Sequence, residues 1–112
     1  QQGEVTLATV RAWSADVLWL DARQAEAYES DHYPGALPLN EDEWESLLLP
    51  VLEGWLPGTK IVVYCDDQAC RASHDVADRL REETGWEDIH VLHGGWALLA
   101  GEVAEASSGD TP

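Results

Sequence analysis

The sequence predicts an α/β domain built on a mainly parallel sheet, and three observations carry that prediction. Short apolar runs alternate with segments of helical spacing, the pattern of strands joined by crossover helices. Two of the runs, Val17-Leu18-Trp19-Leu20 and Ile61-Val62-Val63-Tyr64, are apolar throughout, as parallel strands covered on both faces should be. The chain's 112 residues, 45% of them apolar, can bury one core and leave no room for a second domain.

Taken in order, Val5-Thr6 reads as extended and Leu7 to Trp13 as a short helix, with Leu7, Val10 and Trp13 at helical spacing and Thr9 able to cap. Val17 to Leu20 is a strand that ends at Asp21-Ala22-Arg23. Gln24 to Ser30 reads as a polar helix, broken by the turn Asp31-His32-Tyr33-Pro34-Gly35. Ala36 to Leu39 is a short extended segment, and Pro38 assigns it to a sheet edge because proline cannot donate to a ladder. Glu41 to Leu56 places Trp44, Leu47, Leu48, Val51, Leu52 and Trp55 on one apolar stripe of a helix that Pro50 must bend or interrupt, and Pro57-Gly58 ends it. Ile61 to Tyr64 is the next strand. Ala72, Val76 and Leu80, with Ala77 and Thr84 beside them, form the inner face of a helix running to about Glu83 and closed by Gly85; Asp75, Asp78, Arg79 and Glu82 face out. Ile89 to Leu92 is the last strand, His93-Gly94-Gly95 a tight turn, and Trp96 to Leu99 a helical turn or more. No internal repeat is present.

Composition removes several function classes. Six Lys plus Arg against 22 Asp plus Glu give a formal net charge of -16, a field that repels nucleic acid and anionic membranes. No apolar run approaches the roughly 20 residues of a membrane helix, so direct membrane insertion is not expected. Gln1-Gln2-Gly3-Glu4 carries neither an initiator Met nor a signal pattern and reads as a processed or truncated start. The cytoplasm is the default compartment, with export or anchoring as the alternative if an upstream segment has been removed. Two cysteines are too few for a disulfide scaffold, and neither they nor His90 and His93 have the spaced partners of a metal site, so no metal or cofactor is expected.

Both cysteines lie in Lys60 to Ser73, where the second apolar strand stops at Cys65 and a helix begins a few residues later. That order places Cys65 at the carboxyl end of a sheet beside a helix N-terminus and exposes its thiol. The helix dipole and Arg71 both favour the thiolate, whose ordinary pKa is about 8.5, while Asp66 and Asp67 oppose it. Cys65 is therefore the candidate nucleophile. The backbone amides of Asp66, Asp67, Gln68, Ala69 and Cys70, together with Arg71, are the candidate anion cradle. Cys70 is either a packed thiol or a redox partner of Cys65, and Arg71 either an anion ligand or an ion-pair partner of Asp21 or another carboxylate.

Four landmarks in order, Asp21-Ala22-Arg23, His32-Tyr33-Pro34-Gly35-Ala36, Val62-Val63-Tyr64-Cys65 and His93-Gly94-Gly95-Trp96, resemble the rhodanese-like domain family. The likeness covers about Thr6 to Gly101, leaving residues 1–5 as an N-terminal extension and 102–112 as a flexible tail. It implies a five-stranded, mostly parallel sheet flanked by helices on both faces. It also implies a sulfurtransferase in which Cys65 takes sulfane sulfur from a small sulfur-containing donor, holds it as a persulfide and passes it to a thiol or cyanide-like acceptor, or to a protein. Cys65 to Arg71 departs from the commonest transferase loops by one extra residue and by lacking glycine. Its Cys-x5-Arg length resembles the phosphatases and arsenate reductases of the same fold, which makes that chemistry the second reading. A non-enzymatic or thiol-redox module using Cys65 and Cys70 is the third.

The remaining polar residues read as structural. Asp21 is expected to cap the helix that follows it and Arg23 to pair with acidic neighbours. His32 reads as a hydrogen-bonded turn residue, His74 as a solvated imidazole, and Tyr33 and Trp96 as core or pocket wall.

Overall fold

A computed structural model of the chain describes residues 4–13, 16–66 and 71–101. Five strands, β1 (Glu4–Val5), β2 (Val17–Asp21), β3 (Leu37–Pro38), β4 (Lys60–Tyr64) and β5 (Ile89–Leu92), form one sheet in the order β1-β5-β4-β2-β3. Every pairing is parallel. The helices are α1 (Leu7–Ala12), α2 (Ala25–Ser30), α3 (Trp44–Gly54) and α4 (Ala72–Thr84), and residues 95–101 are helical as well. No helix among the described residues is long and apolar enough to cross a membrane.

Alternation along β4 divides the core. Ile61 and Val63 point to one face, where they join Leu20, Val51, Val76, Leu80 and Val91 under α3 and α4. Val62 and Tyr64 point to the other, with Leu7, Val10, Ala36, Leu92 and Leu99. Both faces of the central strands are covered, which is why their sequences are apolar without alternation.

Local chemistry sets the helix ends. Thr6, extended at φ -88°, caps α1 by accepting from the Thr9 amide; Thr9, the expected cap, already lies within the helix and supplies the donor. Gly85 closes α4 at φ +78°, and its N–H donates to the Arg81 carbonyl. α3 begins at Trp44, three residues later than expected, and ends at the extended Trp55. Trp44 and Val51 are buried on its inner side with Leu47, Leu48 and Trp55 packed beside them, and Trp55 stacks on Trp86 at 4.4 Å. Leu52, expected on that stripe, is 41% exposed. At about 100° per residue it is turned well away from the line through Trp44, Val51 and Trp55.

At the amino end of the sheet, Asp88 accepts from Lys60 Nζ at 3.0 Å and contacts His90 Nε2 at 2.6 Å. The His90 hydrogen bond, with smaller help from Lys60, holds the Asp88 carboxyl below its ordinary 3.8. A lowered native pKa stabilises the fold fully above the unfolded-state value, and that contribution disappears as pH falls through the native value. Because these groups are partly exposed, it amounts to less than about 1 kcal/mol. Urea unfolding of Asp88→Asn should show that small loss at pH 7 and a narrower gap from the parent at pH 3.

Candidate functional site

The carboxyl ends of β2, β4 and β5 converge on one edge of the sheet. Asp21 ends β2, in register with Tyr64 at the end of β4, and Cys65 follows. The Ala22 N–H donates to the Tyr64 carbonyl at 2.8 Å, which carries the β2–β4 pairing to the rim.

A buried polar cluster joins the ends of β2 and β4, one residue before Cys65. Asp21, fully buried, receives Arg23 Nη2 at 2.8 Å, Arg23 Nε at 3.1 Å and the Arg23 backbone N–H at 2.9 Å. Its Oδ2 also accepts from the Tyr64 hydroxyl at 2.8 Å, and that hydroxyl accepts from the Tyr33 N–H at 3.0 Å. Arg23 Nη2 reaches on to the Asp31 carbonyl. Burial works against the Arg23 charge, but the hydrogen bonds and charge of Asp21 outweigh it and raise the Arg23 pKa. Burial, with Asp21 adding to it, pushes the Tyr64 hydroxyl far up, so Tyr64 stays protonated and donates. Asp21 thus does not cap α2, whose N-cap Gln24 makes no side-chain cap bond. Its acceptors are spent on the Arg23–Tyr64 cluster.

Trp96 closes the cluster from above. Its ring lies 4.8 Å from the Arg23 guanidinium and 5.9 Å from the Tyr64 ring. Gly94 and Gly95, at φ +94° and +60°, make the turn that brings it there, and a Cβ on Gly94 would stand 3.1 Å from that of Leu98. The Trp96 N–H then donates to the Cys65 carbonyl at 2.6 Å and the Ala97 N–H to the Asp66 carbonyl at 2.9 Å. The first turn of the helical segment over 95–101 therefore satisfies its orphan amides on the backbone of Cys65 and Asp66.

Cys65 itself differs from expectation. It is 2% exposed and disulfide-bonded, where the strand-end position suggested an open thiol. Strand order places the residue at the rim, where the Trp96 turn is bonded to its backbone. Cys70, the only other cysteine in the sequence, lies outside the described residues, as do Asp67, Gln68 and Ala69. Of the cradle candidates, Asp66 and Arg71 are described, and both are exposed. Arg71 precedes α4 and pairs with no carboxylate among the described residues. Asp21, its suggested partner, is held by Arg23.

Residues that the sequence left as surface or wall prove to be tied together. Glu4 of β1 contacts His74 Nε2 in the first turn of α4 at 2.8 Å and His93 Nδ1 beside the Gly94-Gly95 turn at 3.2 Å. One carboxylate joins the edge strand to two elements that flank Cys65, so His74 is a partnered side chain and not a solvated one. Separations of 70 and 89 residues give no sequence signal for this. Replacing Glu4 with Ala should lower stability by roughly 1–2 kcal/mol. Amide exchange should quicken together at His74 and at the Gly94-Gly95 turn while β2 and β4 stay protected. His32 contacts the Tyr28 carbonyl at 2.8 Å and stacks on the Tyr28 ring, and Tyr33 packs on Trp19 at 4.4 Å. Among the described residues, no group of three or more His, Cys, Asp or Glu is arranged to hold a metal ion.

Comparison with known proteins agrees with this architecture. The family model described as Rhodanese-like domain matches residues 6–102. Among solved structures, the BH2092 protein of Bacillus halodurans is similar at a TM-score of 0.69 and 21% identity, over 88% of this chain and 72% of that one. The N-terminal domain of a putative ATP/GTP binding protein of Clostridium difficile 630 is similar at a TM-score of 0.58 and 15% identity, over 88% and 97%. At these identities the likeness is one of fold. None of the curated proteins matches the chain.

Proposed function

The chain belongs to the rhodanese-like domain family, and from that membership and the position of Cys65 we propose that it is a sulfurtransferase working through a Cys65 persulfide. The observation that carries the reading is Cys65 at the carboxyl end of β4, next in sequence to Tyr64 of the Asp21–Arg23–Tyr64 cluster and ahead of α4. The buried ion pair and the Trp96 turn hold the backbone at Cys65, and the amino end of the 13-residue α4 contributes a partial positive charge that favours a thiolate. Exposed Arg71, at the start of α4, is the cation for an anionic donor.

The reaction starts from reduced Cys65, and an external dithiol supplies the two electrons and two protons that open the disulfide. The Cys65 thiolate attacks the outer sulfur of a donor such as thiosulfate; the donor S–S bond breaks and sulfite leaves with the electron pair. An acceptor thiolate or cyanide then attacks the outer persulfide sulfur, and the Cys65 thiolate is regenerated. We rank this above phosphatase or arsenate-reductase chemistry because Asp66 and Asp67 follow the nucleophile directly, which disfavours a dianionic substrate. The disulfide at Cys65 favours thiol–disulfide cycling as the second reading.

After reduction, removal of the reductant and exposure to thiosulfate, intact-mass measurement should find one added sulfur, about 32 Da, on the parent and none on Cys65→Ser. No adduct from thiosulfate or from an organic persulfide would remove the transferase reading. Mild peroxide separates the second reading: a loss of two hydrogens in the parent but not in Cys65→Ser supports cycling, and persistent free thiols exclude it.

A further inference from the structure

We propose that the outer face of α3 is a docking surface for a cationic amphipathic helix of a partner protein. α3 is apolar on two sides. Trp44 and Val51 occupy the inner side, whereas Leu49 on the outer side is 58% exposed, beside Leu52, and Leu56, just past the helix end, is 64% exposed. Glu45, Leu49 and Leu52, spaced by four and then three, share one helical face. Burying a leucine is worth roughly 1.5–3 kcal/mol, so leaving three in water within eight positions marks a surface that a partner can cover.

Charge selects the partner. From Glu41 to Gly58 the chain carries five carboxylates, Glu41, Asp42, Glu43, Glu45 and Glu53, all exposed, and no Lys or Arg. The first four line an open groove of about 650 Å³ at the start of α3, and Arg79, the cation in that lining, lies within 3.6 Å of Glu41. Glu45 belongs to both the groove wall and the leucine face, so the apolar surface runs into an acidic one. A second copy would set these carboxylates against their own kind, with a net charge of -16 on each chain. An anionic bilayer meets the same repulsion. A helix with leucines along one side and Lys or Arg on its flanks is complementary to both parts of the surface.

The test uses a synthetic helix of about 18 residues, Leu on one face and Lys on the other, titrated into the isotope-labelled chain. Amide shift changes should concentrate in residues 41–58. Affinity should fall about tenfold in Leu49→Ser/Leu52→Ser/Leu56→Ser, and by a similar factor when the helix carries Ser for Leu, or Glu for Lys. The substituted leucines are exposed, and a melting curve verifies that the triple variant is folded. Shift changes spread over the acidic α4 surface, with affinity unmoved by the leucine substitutions, would overturn the proposal. So would sedimentation of the parent alone as a dimer that the same substitutions dissolve, since the face would then belong to a second copy.

Discussion

Asp21→Asn should lower the unfolding free energy by about 3–5 kcal/mol, because it leaves the Arg23 guanidinium buried without its counter-charge. The amide keeps the shape of the carboxylate, and steric change contributes little. What is lost is the acceptor set that takes Arg23 Nη2 at 2.8 Å and the Tyr64 hydroxyl at 2.8 Å. Urea unfolding at neutral pH measures the loss. Pairing the change with Tyr64→Phe should reveal a coupling of roughly 0.5–3 kcal/mol, since both substitutions break the same contact. A loss below about 1 kcal/mol would mean that the cluster is solvated and does not anchor the rim.

Leu80→Ala should cost about 2–5 kcal/mol by a different route, the loss of transferred apolar surface plus the cavity left behind. Leu80 is fully buried on the inner side of α4, in the same cluster as Ile61, Val63 and Ile89. The two substitutions differ in what they do to chemistry. Leu80 lies in a cluster that does not include Tyr64 or Trp96, so the folded fraction of Leu80→Ala should still accept one sulfur on reduced Cys65. Asp21→Asn should slow that acceptance even where the protein is folded, because Tyr64, bonded to Asp21, directly precedes Cys65. Adduct formation timed in the absence of denaturant compares them.

How far the sequence speaks depends on whether the deciding contact is local. β4 is legible because a strand covered on both faces is apolar at every position, and α4 because Val76, Ala77 and Leu80 repeat at helical spacing before Gly85 stops them. The four landmarks placed the family, and the match over residues 6–102 agrees with them. α3 misled at Leu52 because a helix with leucines on two sides has no single apolar stripe to read. Thr6 and Thr9 are the same residue type three positions apart, and only the extended backbone at Thr6 decides which one caps. Within the site, Asp21 and Arg23 are neighbours in sequence, but Tyr64 is 43 residues from Asp21 and nothing local announces that bond. The depth of Cys65 is a property of what packs around the end of β4, and a backbone partner of it, Trp96, belongs to another turn.

The sheet ends on both sides in strands of only two residues, Glu4–Val5 and Leu37–Pro38. Its longer and more apolar strands are confined to the middle. An incoming chain that tried to extend the ladder would find few free amides on either border, with a proline on one and an acidic side chain on the other. That border guards against fibrillar stacking, so the margins that lie parallel to the strands resist aggregation while Cys65 sits at a different margin, the carboxyl end of β4.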